Sequence, residues 1–140
     1  MGGNAWTQMG PYQPDPAAAF RQAQEASLAA NDHGFGGRAI EELWQDPDWN
    51  EYVYTVGTAS VLDFPRTTEA TDRGDHPYMR PLTDAEIRTW SPTARPTEEE
   101  WTRALDTGAL PYPDRSQGNC TVLYRNGTPT SIAYWGVTAD

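Results

Sequence analysis

The chain of 140 residues contains no lysine, because all ten of its basic residues are arginine. This absence excludes mechanisms that need a lysine Schiff base, a lysine general base or the lysine of a phosphate-binding loop. The ten arginines face 20 acidic residues, so the formal net charge at pH 7 is −10. Nucleic acids and acidic membrane surfaces are bound through clustered basic side chains, and the composition therefore disfavours both as partners.

Aliphatic residues are also scarce. Leu, Ile, Val and Phe together make up only 18 of the 140 residues, and such a low share with a high net charge is typical of disordered chains. Six tryptophans and seven tyrosines indicate the opposite, because each buried aromatic side chain removes roughly 150–250 Å² from water. We therefore expect one folded domain over residues 1–140, with an aromatic-rich core.

Cys120 is the only cysteine, so no disulfide can form within the chain. The N-terminal residues show no basic segment followed by an apolar run, which predicts that there is no signal peptide. No stretch approaches the ~20 apolar residues of a membrane span. The expected location is the cytoplasm.

Local signals predict about four short helices. Asp15 followed by a proline predicts a helix start before residues 17–30, and apolar residues at helical spacing predict a second helix over residues 38–45, ended by an Asp-Pro pair. Thr83 and Thr97 each precede a glutamate by three residues, which is the capping-box pattern that begins a helix.

Strand signals are weak until the C-terminal part of the chain. Residues 5–12 alternate weakly. Residues 52–64 hold β-type side chains around Gly57, and residues 58–64 are the best strand candidate before the hairpin. Asn126-Gly127 is the strongest short-range hairpin signal and predicts a hairpin between residues 119–125 and 128–137. A small antiparallel sheet with these helices gives an α+β fold.

A two-residue turn at Asn126-Gly127 would pair Cys120 with Ala133 and Val122 with Ser131. One strand face would then carry a set of apolar side chains and belong to the core: Cys120, Val122, Tyr124, Ala133 and Trp135. On such a face Cys120 is a buried core thiol rather than a nucleophile.

Residues 65–81 are polar and rich in turn residues, and we predict that they form one long loop. Arg66, Arg73 and Arg80 lie along it. An arginine fork there is suited to hold a carboxylate or a phosphate, and the alternative is that these side chains are solvated.

Three short segments resemble a group of small uncharacterised actinobacterial proteins. They are the opening Met1-Gly2, the central GTASVLD that ends at Asp63, and the C-terminal CTVLY that leads to YWG. The resemblance implies no activity and no cofactor. The sequence departs from the group's pattern at Ala59, where a histidine is the associated residue.

Only two histidines are present, and each directly follows an aspartate. A nearby carboxylate raises the basicity of an imidazole and orients it, which suits a general base. The alternative is that these aspartates cap turns, because both pairs lie in loops. Asp63 is likewise either a functional carboxylate at a strand end or, as the sequence favours, the cap of the turn before Pro65. The candidate catalytic residues are thus His33, Asp63 and His76, and we expect neither a metal nor another cofactor.

Residues 41–51 contain five acids, two tryptophans and no base. Acids beside tryptophan suit a surface that captures a basic partner, with an aromatic anchor inside a charged rim. The alternative is a helix that buries its apolar side chains and turns its acids to water. The candidate partner-binding residues are Glu41, Glu42, Trp44, Asp48 and Trp49.

Two functional hypotheses follow. The first is a non-enzymatic, acidic interaction protein, of the inhibitor or immunity kind, that masks a basic surface of a partner protein. The second is a small enzyme or a small-molecule-binding protein with an aromatic-lined pocket, in which His33, Asp63 or His76 acts as acid or base.

Overall fold

A computed structural model describes residues 3–72 and 77–139. The strands are β1 (Ala5–Pro11), β2 (Met79–Pro81), β3 (Gly118–Arg125) and β4 (Thr128–Val137). The helices are α1 (Pro16–Ala30), α2 (Ile40–Leu43), α3 (Pro47–Thr55), α4 (Asp84–Ile87) and α5 (Glu98–Thr107), with a 3₁₀ turn at Val61–Asp63.

These strands form one sheet in the order β1-β4-β3-β2. β4 runs antiparallel to both β1 and β3, whereas β2 runs parallel to β3. The predicted α+β class is confirmed, although the sheet is mixed rather than wholly antiparallel. The predicted long loop at residues 65–81 is wrong at its end, because β2 extends the sheet there.

Helices pack on both faces of the sheet. On one face α1 contributes Phe20, which packs with Trp6 and Tyr134 in an aromatic cluster. On the other face α5 contributes Trp101, which packs with Leu123 and Trp135. A third cluster does not involve the sheet. In it α2 and α3 pack on the 3₁₀ turn through Leu43, Trp49 and Leu62. Aromatic rings are thus present in all three clusters, as the composition predicts.

Three of the predicted helix starts have the expected caps. The Asp15 carboxylate accepts a hydrogen bond from the Ala17 N–H at 3.1 Å, with Pro16 at the first helical position. The hydroxyls of Thr83 and Thr97 accept from the backbone N–H three residues later, at 3.2 and 3.1 Å. Each satisfies an N–H that the helix itself leaves without a partner.

The strand predicted within residues 52–64, with residues 58–64 as the best candidate, is wrong, because residues 47–55 form α3 and residues 61–63 form a 3₁₀ turn. Asp46 and Pro47 begin α3 instead of only ending the helix before it, since the Asp46 carboxylate accepts from the Asp48 N–H at 2.9 Å. Trp49 and Val53 then lie one helical turn apart and are both buried. Their burial against the 3₁₀ turn outweighs the weak strand preference of the tyrosines and valines in this segment.

The predicted pairing of the hairpin is correct only near its turn. A β-bulge between Leu123 and Tyr124 shifts the register, so that Cys120 pairs with Tyr134 and Val122 with Ile132. The extra residue also separates side chains that the predicted pairing puts on one face. Ala133 and Trp135 lie on the α5 side of the sheet, whereas Cys120 lies on the α1 side.

Candidate functional site

The two tryptophans of residues 41–51 differ in their exposure to solvent. Trp49 is fully buried, so its place among the predicted partner-binding residues is wrong. The reason is that Trp49 lies on the face of α3 that packs against Leu43 and Leu62. Trp44 is half-buried, and its ring meets the ring of Trp49 edge-on at a centroid distance of 6.0 Å.

Further rings surround Trp49. Phe35 meets it edge-on at 5.1 Å, and Tyr52 is stacked beside it at 6.3 Å. His33 extends the group, because its ring lies 5.6 Å from that of Tyr52. The second hypothesis places aromatic side chains around a ligand, but these rings pack against one another and form a rigid support for α3.

Two of the acids in this region are paired with arginine. Glu41 lies 2.5 Å from Arg21, and the hydrogen bond from Arg21 lowers the pKa of Glu41. Asp46 is paired with Arg38, but the Asp48 N–H is the larger cause of the lowered pKa of Asp46. Both pairs join α2 and α3 to neighbouring segments and use the only arginines of residues 21–55.

The remaining acids have no basic partner among the described residues. Glu42 accepts a hydrogen bond from the Ala39 N–H at 3.3 Å and thus closes the start of α2. Asp48 and Glu51 are exposed and make no side-chain hydrogen bond or ion pair within the described ranges. The outward side of α2 and α3 therefore carries uncompensated negative charge.

Two exposed apolar side chains accompany these acids. Tyr54 is 46% exposed and follows Glu51 by three residues on α3, while Val56, directly after the helix, is 53% exposed. We call the group Asp48, Glu51, Tyr54 and Val56 the α3 surface. Tyr54 and Val56 are not among the predicted site residues, because the sequence favours a strand rather than a helix within residues 52–64. Helical spacing from Asp48 would have placed Glu51 and Tyr54 on the same side.

Asp63, a candidate catalytic residue, is buried in the loop that follows α3. Its Oδ1 accepts hydrogen bonds from the N–H and the hydroxyl of Thr58, at 2.6 and 2.7 Å. Its Oδ2 is buried and has no hydrogen-bond partner in the described residues. Burial raises the pKa of Asp63, while the bonds from Thr58 act in the opposite direction.

His33 is the candidate base that the structure brings near Asp63. Its Nδ1 lies 3.0 Å from the Tyr52 hydroxyl, and its charge lowers the pKa of Asp63, although by less than burial raises it. No hydrogen bond joins His33 to Asp63 in the described part of the chain. His76, the third candidate, lies outside the described residues.

The loop around Asp63 is held by polar side chains from other elements. Gln24 is 1% exposed, and its Nε2 donates to the Phe64 carbonyl at 2.7 Å. Gln8 accepts from the Val61 N–H at 3.2 Å. Asp63 closes the turn at Thr58 on this fixed segment, so it caps a turn, although this turn lies before it in the chain and is not the predicted one before Pro65.

A separate polar cleft of about 490 Å³ lies at the β2 side of the sheet. One wall is Arg80, whose guanidinium binds both carboxylate oxygens of Glu86 at 2.8 and 2.9 Å and the Ala70 carbonyl at 2.8 Å. This arginine fork holds a carboxylate of its own chain. The arginine lowers the pKa of Glu86 to about 2. Neither His33 nor Asp63 lines the cleft.

No family model, curated protein or solved structure matches this chain. None of the helices in residues 3–72 and 77–139 is both long and apolar enough to cross a membrane. Within those ranges no group of three or more His, Cys, Asp or Glu side chains is placed to hold a metal ion. The α3 surface and its surroundings are therefore the candidate functional site.

Proposed function

We propose that the protein binds a basic surface of a partner protein through α2 and α3 and thereby masks that surface, as an inhibitor or immunity protein does. The single observation that carries this proposal is the α3 surface, where Tyr54 is exposed one helical turn from the unpaired acid Glu51, Glu51 lies one turn from the unpaired Asp48, and Val56 is exposed directly after the helix. Exposed apolar side chains together with polar or charged ones are the usual composition of a protein interface.

The charge balance of this region supports a basic partner. Residues 21–55 contain seven acids and two arginines, and both arginines are held in ion pairs. The unpaired acids attract opposite charge, which steers a basic partner towards this side of the molecule and raises the rate of association.

The packing beneath α3 supports tight rather than loose binding. Trp49 is fully buried under the helix, and Phe35 and Tyr52 pack on it. A helix fixed in this way loses little conformational entropy when a partner binds. Tyr54 then has the features of an anchor, because a tyrosine ring contributes a large contact area with few rotatable bonds.

A displayed library of random peptides provides a probe without a known partner. We expect wild-type protein to enrich peptides that combine arginine or lysine with an apolar side chain. For the selected peptides, Tyr54→Ala and the double variant Asp48→Asn/Glu51→Gln are each expected to raise the Kd by more than tenfold, as measured by calorimetry. Added salt is expected to weaken wild-type binding, because it screens exposed charges.

The matched control removes the same charge on the other side of the sheet. Glu98 and Glu99 are exposed in the first turn of α5, so Glu98→Gln/Glu99→Gln is expected to leave the Kd within twofold. Selected peptides without an excess of basic residues would contradict the proposal. Equal losses in the control and in the α3 variants would contradict it too, since they would indicate only an effect of net charge.

A further inference from the structure

β1 lies at the edge of the sheet, and its outward main-chain groups can be assigned from the bonds of its neighbours. The Asn4 carbonyl accepts from the Thr138 N–H at 3.0 Å, so Asn4 points its main-chain groups towards β4. Val137, the pairing partner of Ala5, instead bonds to Gln117 and Ser116 on its other side. Main-chain direction alternates along a strand, and therefore Ala5, Thr7 and Met9 point their N–H and C=O groups away from the sheet.

These outward groups have no hydrogen-bond partner among the described residues. Edge strands are usually protected by charges, prolines, bulges or a covering element. β1 pairs with β4 without a register shift, and its only proline is Pro11, at its end. Met9 is 39% exposed. The strand is thus an unprotected template for a further strand.

The absence of charge on β1 indicates which strand would pair with it. Residues 3–14 contain no charged side chain, although the whole chain has a net charge of −10. Two copies of so acidic a protein repel each other least where both are neutral. A two-fold axis between two copies of β1 also places the outward N–H groups of each copy opposite the outward C=O groups of the other.

We propose that β1 pairs antiparallel with β1 of a second copy of this chain, which joins the two sheets into one continuous sheet. The main-chain groups of Ala5, Thr7 and Met9 form the bonds across the two-fold axis. The side chains of the same residues are exposed on the sheet face that α5 leaves uncovered, and they meet their counterparts there. The contact is small, so we expect a Kd of about 10–100 µM.

Sedimentation equilibrium over a concentration series tests the dimer. Met9→Lys places a charge on the edge and is expected to raise the dimer Kd at least tenfold. Thr7→Pro removes only an outward N–H and leaves the bonds to β4 intact, so it is expected to act in the same direction. The control Ala26→Lys adds the same charge at an exposed site of α1 and is expected to leave the Kd unchanged. Circular dichroism establishes that each variant is folded.

A crosslinking experiment locates the contact. Cys120 is buried, and burial raises its pKa to about 12, so an introduced cysteine is the only reactive thiol. A short bismaleimide is expected to join Thr7→Cys into a dimer and to leave Thr102→Cys, on the exposed side of α5, monomeric. Wild-type protein that stays monomeric at about 1 mM would overturn the proposal. A dimer that is insensitive to Met9→Lys and is not crosslinked through Thr7→Cys would overturn it as well.

Discussion

Two carboxylates close turns on opposite sides of the sheet and do so in nearly the same way. Asp63 accepts from the Thr58 N–H at 2.6 Å, and Glu86 accepts from the Thr83 N–H at 2.9 Å. Asp63 belongs to the 3₁₀ turn below α3, whereas Glu86 lies on α4 beside the β2 cleft. Their second partners differ, since Asp63 also accepts from the Thr58 hydroxyl, whereas Glu86 also binds the guanidinium of Arg80.

The difference gives the two carboxylates opposite pKa shifts. Burial without a bonded cation raises the pKa of Asp63, whereas the fork of Arg80 lowers the pKa of Glu86 to about 2. The neutral donors of Thr58 do not compensate for the loss of water around Asp63. The partner, rather than the turn that the carboxylate closes, thus determines which protonation state folding favours.

Arg80→Met is expected to have the largest effect, because it removes the cation and keeps the aliphatic stem. Glu86 would lose both bonds from the guanidinium, and the Ala70 carbonyl would lose its donor. We expect a loss of about 2–3 kcal/mol in the free energy of unfolding at pH 7, since one partner of a partly buried pair is left behind. Urea denaturation measures it.

The control for this variant is Arg88→Met, at the exposed end of α4, where no ion pair is present in the described residues. We expect it to change the free energy of unfolding by less than about 0.5 kcal/mol. Equal losses in both variants would contradict the comparison, because the fork would then contribute no more than an exposed arginine.

Glu86→Gln is expected to cost about 2 kcal/mol at pH 7, slightly less than the loss of the arginine, because the amide keeps an oxygen for the Thr83 N–H. The pKa of Glu86 is about 2 in the folded chain, against a usual value of 4.5 for a glutamate. The stabilisation is therefore fully present above about pH 4.5 and is lost as the pH falls towards 2.

Urea denaturation at a series of pH values measures this convergence of wild type and Glu86→Gln. Asp84→Asn, on the exposed first turn of the same helix, is the control, and its difference from wild type is expected to stay small throughout. A difference between Glu86→Gln and wild type that persists unchanged at about pH 2 would contradict the assigned cause.

Local signals predicted the parts of this fold that depend on a few consecutive residues. The capping boxes at Thr83 and Thr97 are of this kind, because the bonds that define them lie within one helical turn. The same box identified Glu86 as the residue that closes a turn. It did not identify Arg80 as the partner of Glu86, because that contact requires β2 to lie beside α4.

The segment from α3 to the 3₁₀ turn shows where prediction from the residue types of a short segment fails. Tyr52, Val53 and Tyr54 favour a strand by their residue types, and only the burial of Trp49 and Val53 against a distant turn makes the segment helical. The wrongly predicted strand puts Asp63 at a strand end. It also gives no reason to single out Tyr54, which belongs to the α3 surface. The bulge after Leu123 is equally non-local, since both strand faces are buried by helices far away in the sequence.

Asp63→Asn is expected to have the smallest effect at pH 7, below about 1 kcal/mol, because the amide oxygen still accepts from Thr58 and no charge remains to be buried. The pKa of Asp63 in the folded chain lies above the usual value of 3.8 for an aspartate. Wild-type protein therefore has the full contribution of this group below about pH 3.8 and loses it as the pH rises through the folded pKa. The uncharged asparagine has no such loss. The stability of Asp63→Asn relative to wild type is thus expected to increase from about pH 3 to pH 7, as measured by urea denaturation.

Thr58→Val, which removes the hydroxyl donor but keeps the carboxylate, should show the opposite trend, because a less well bonded Asp63 is more costly to ionise. If Asp63→Asn instead became relatively less stable towards neutral pH, as Glu86→Gln does, the two carboxylates would not differ in the way that their partners imply.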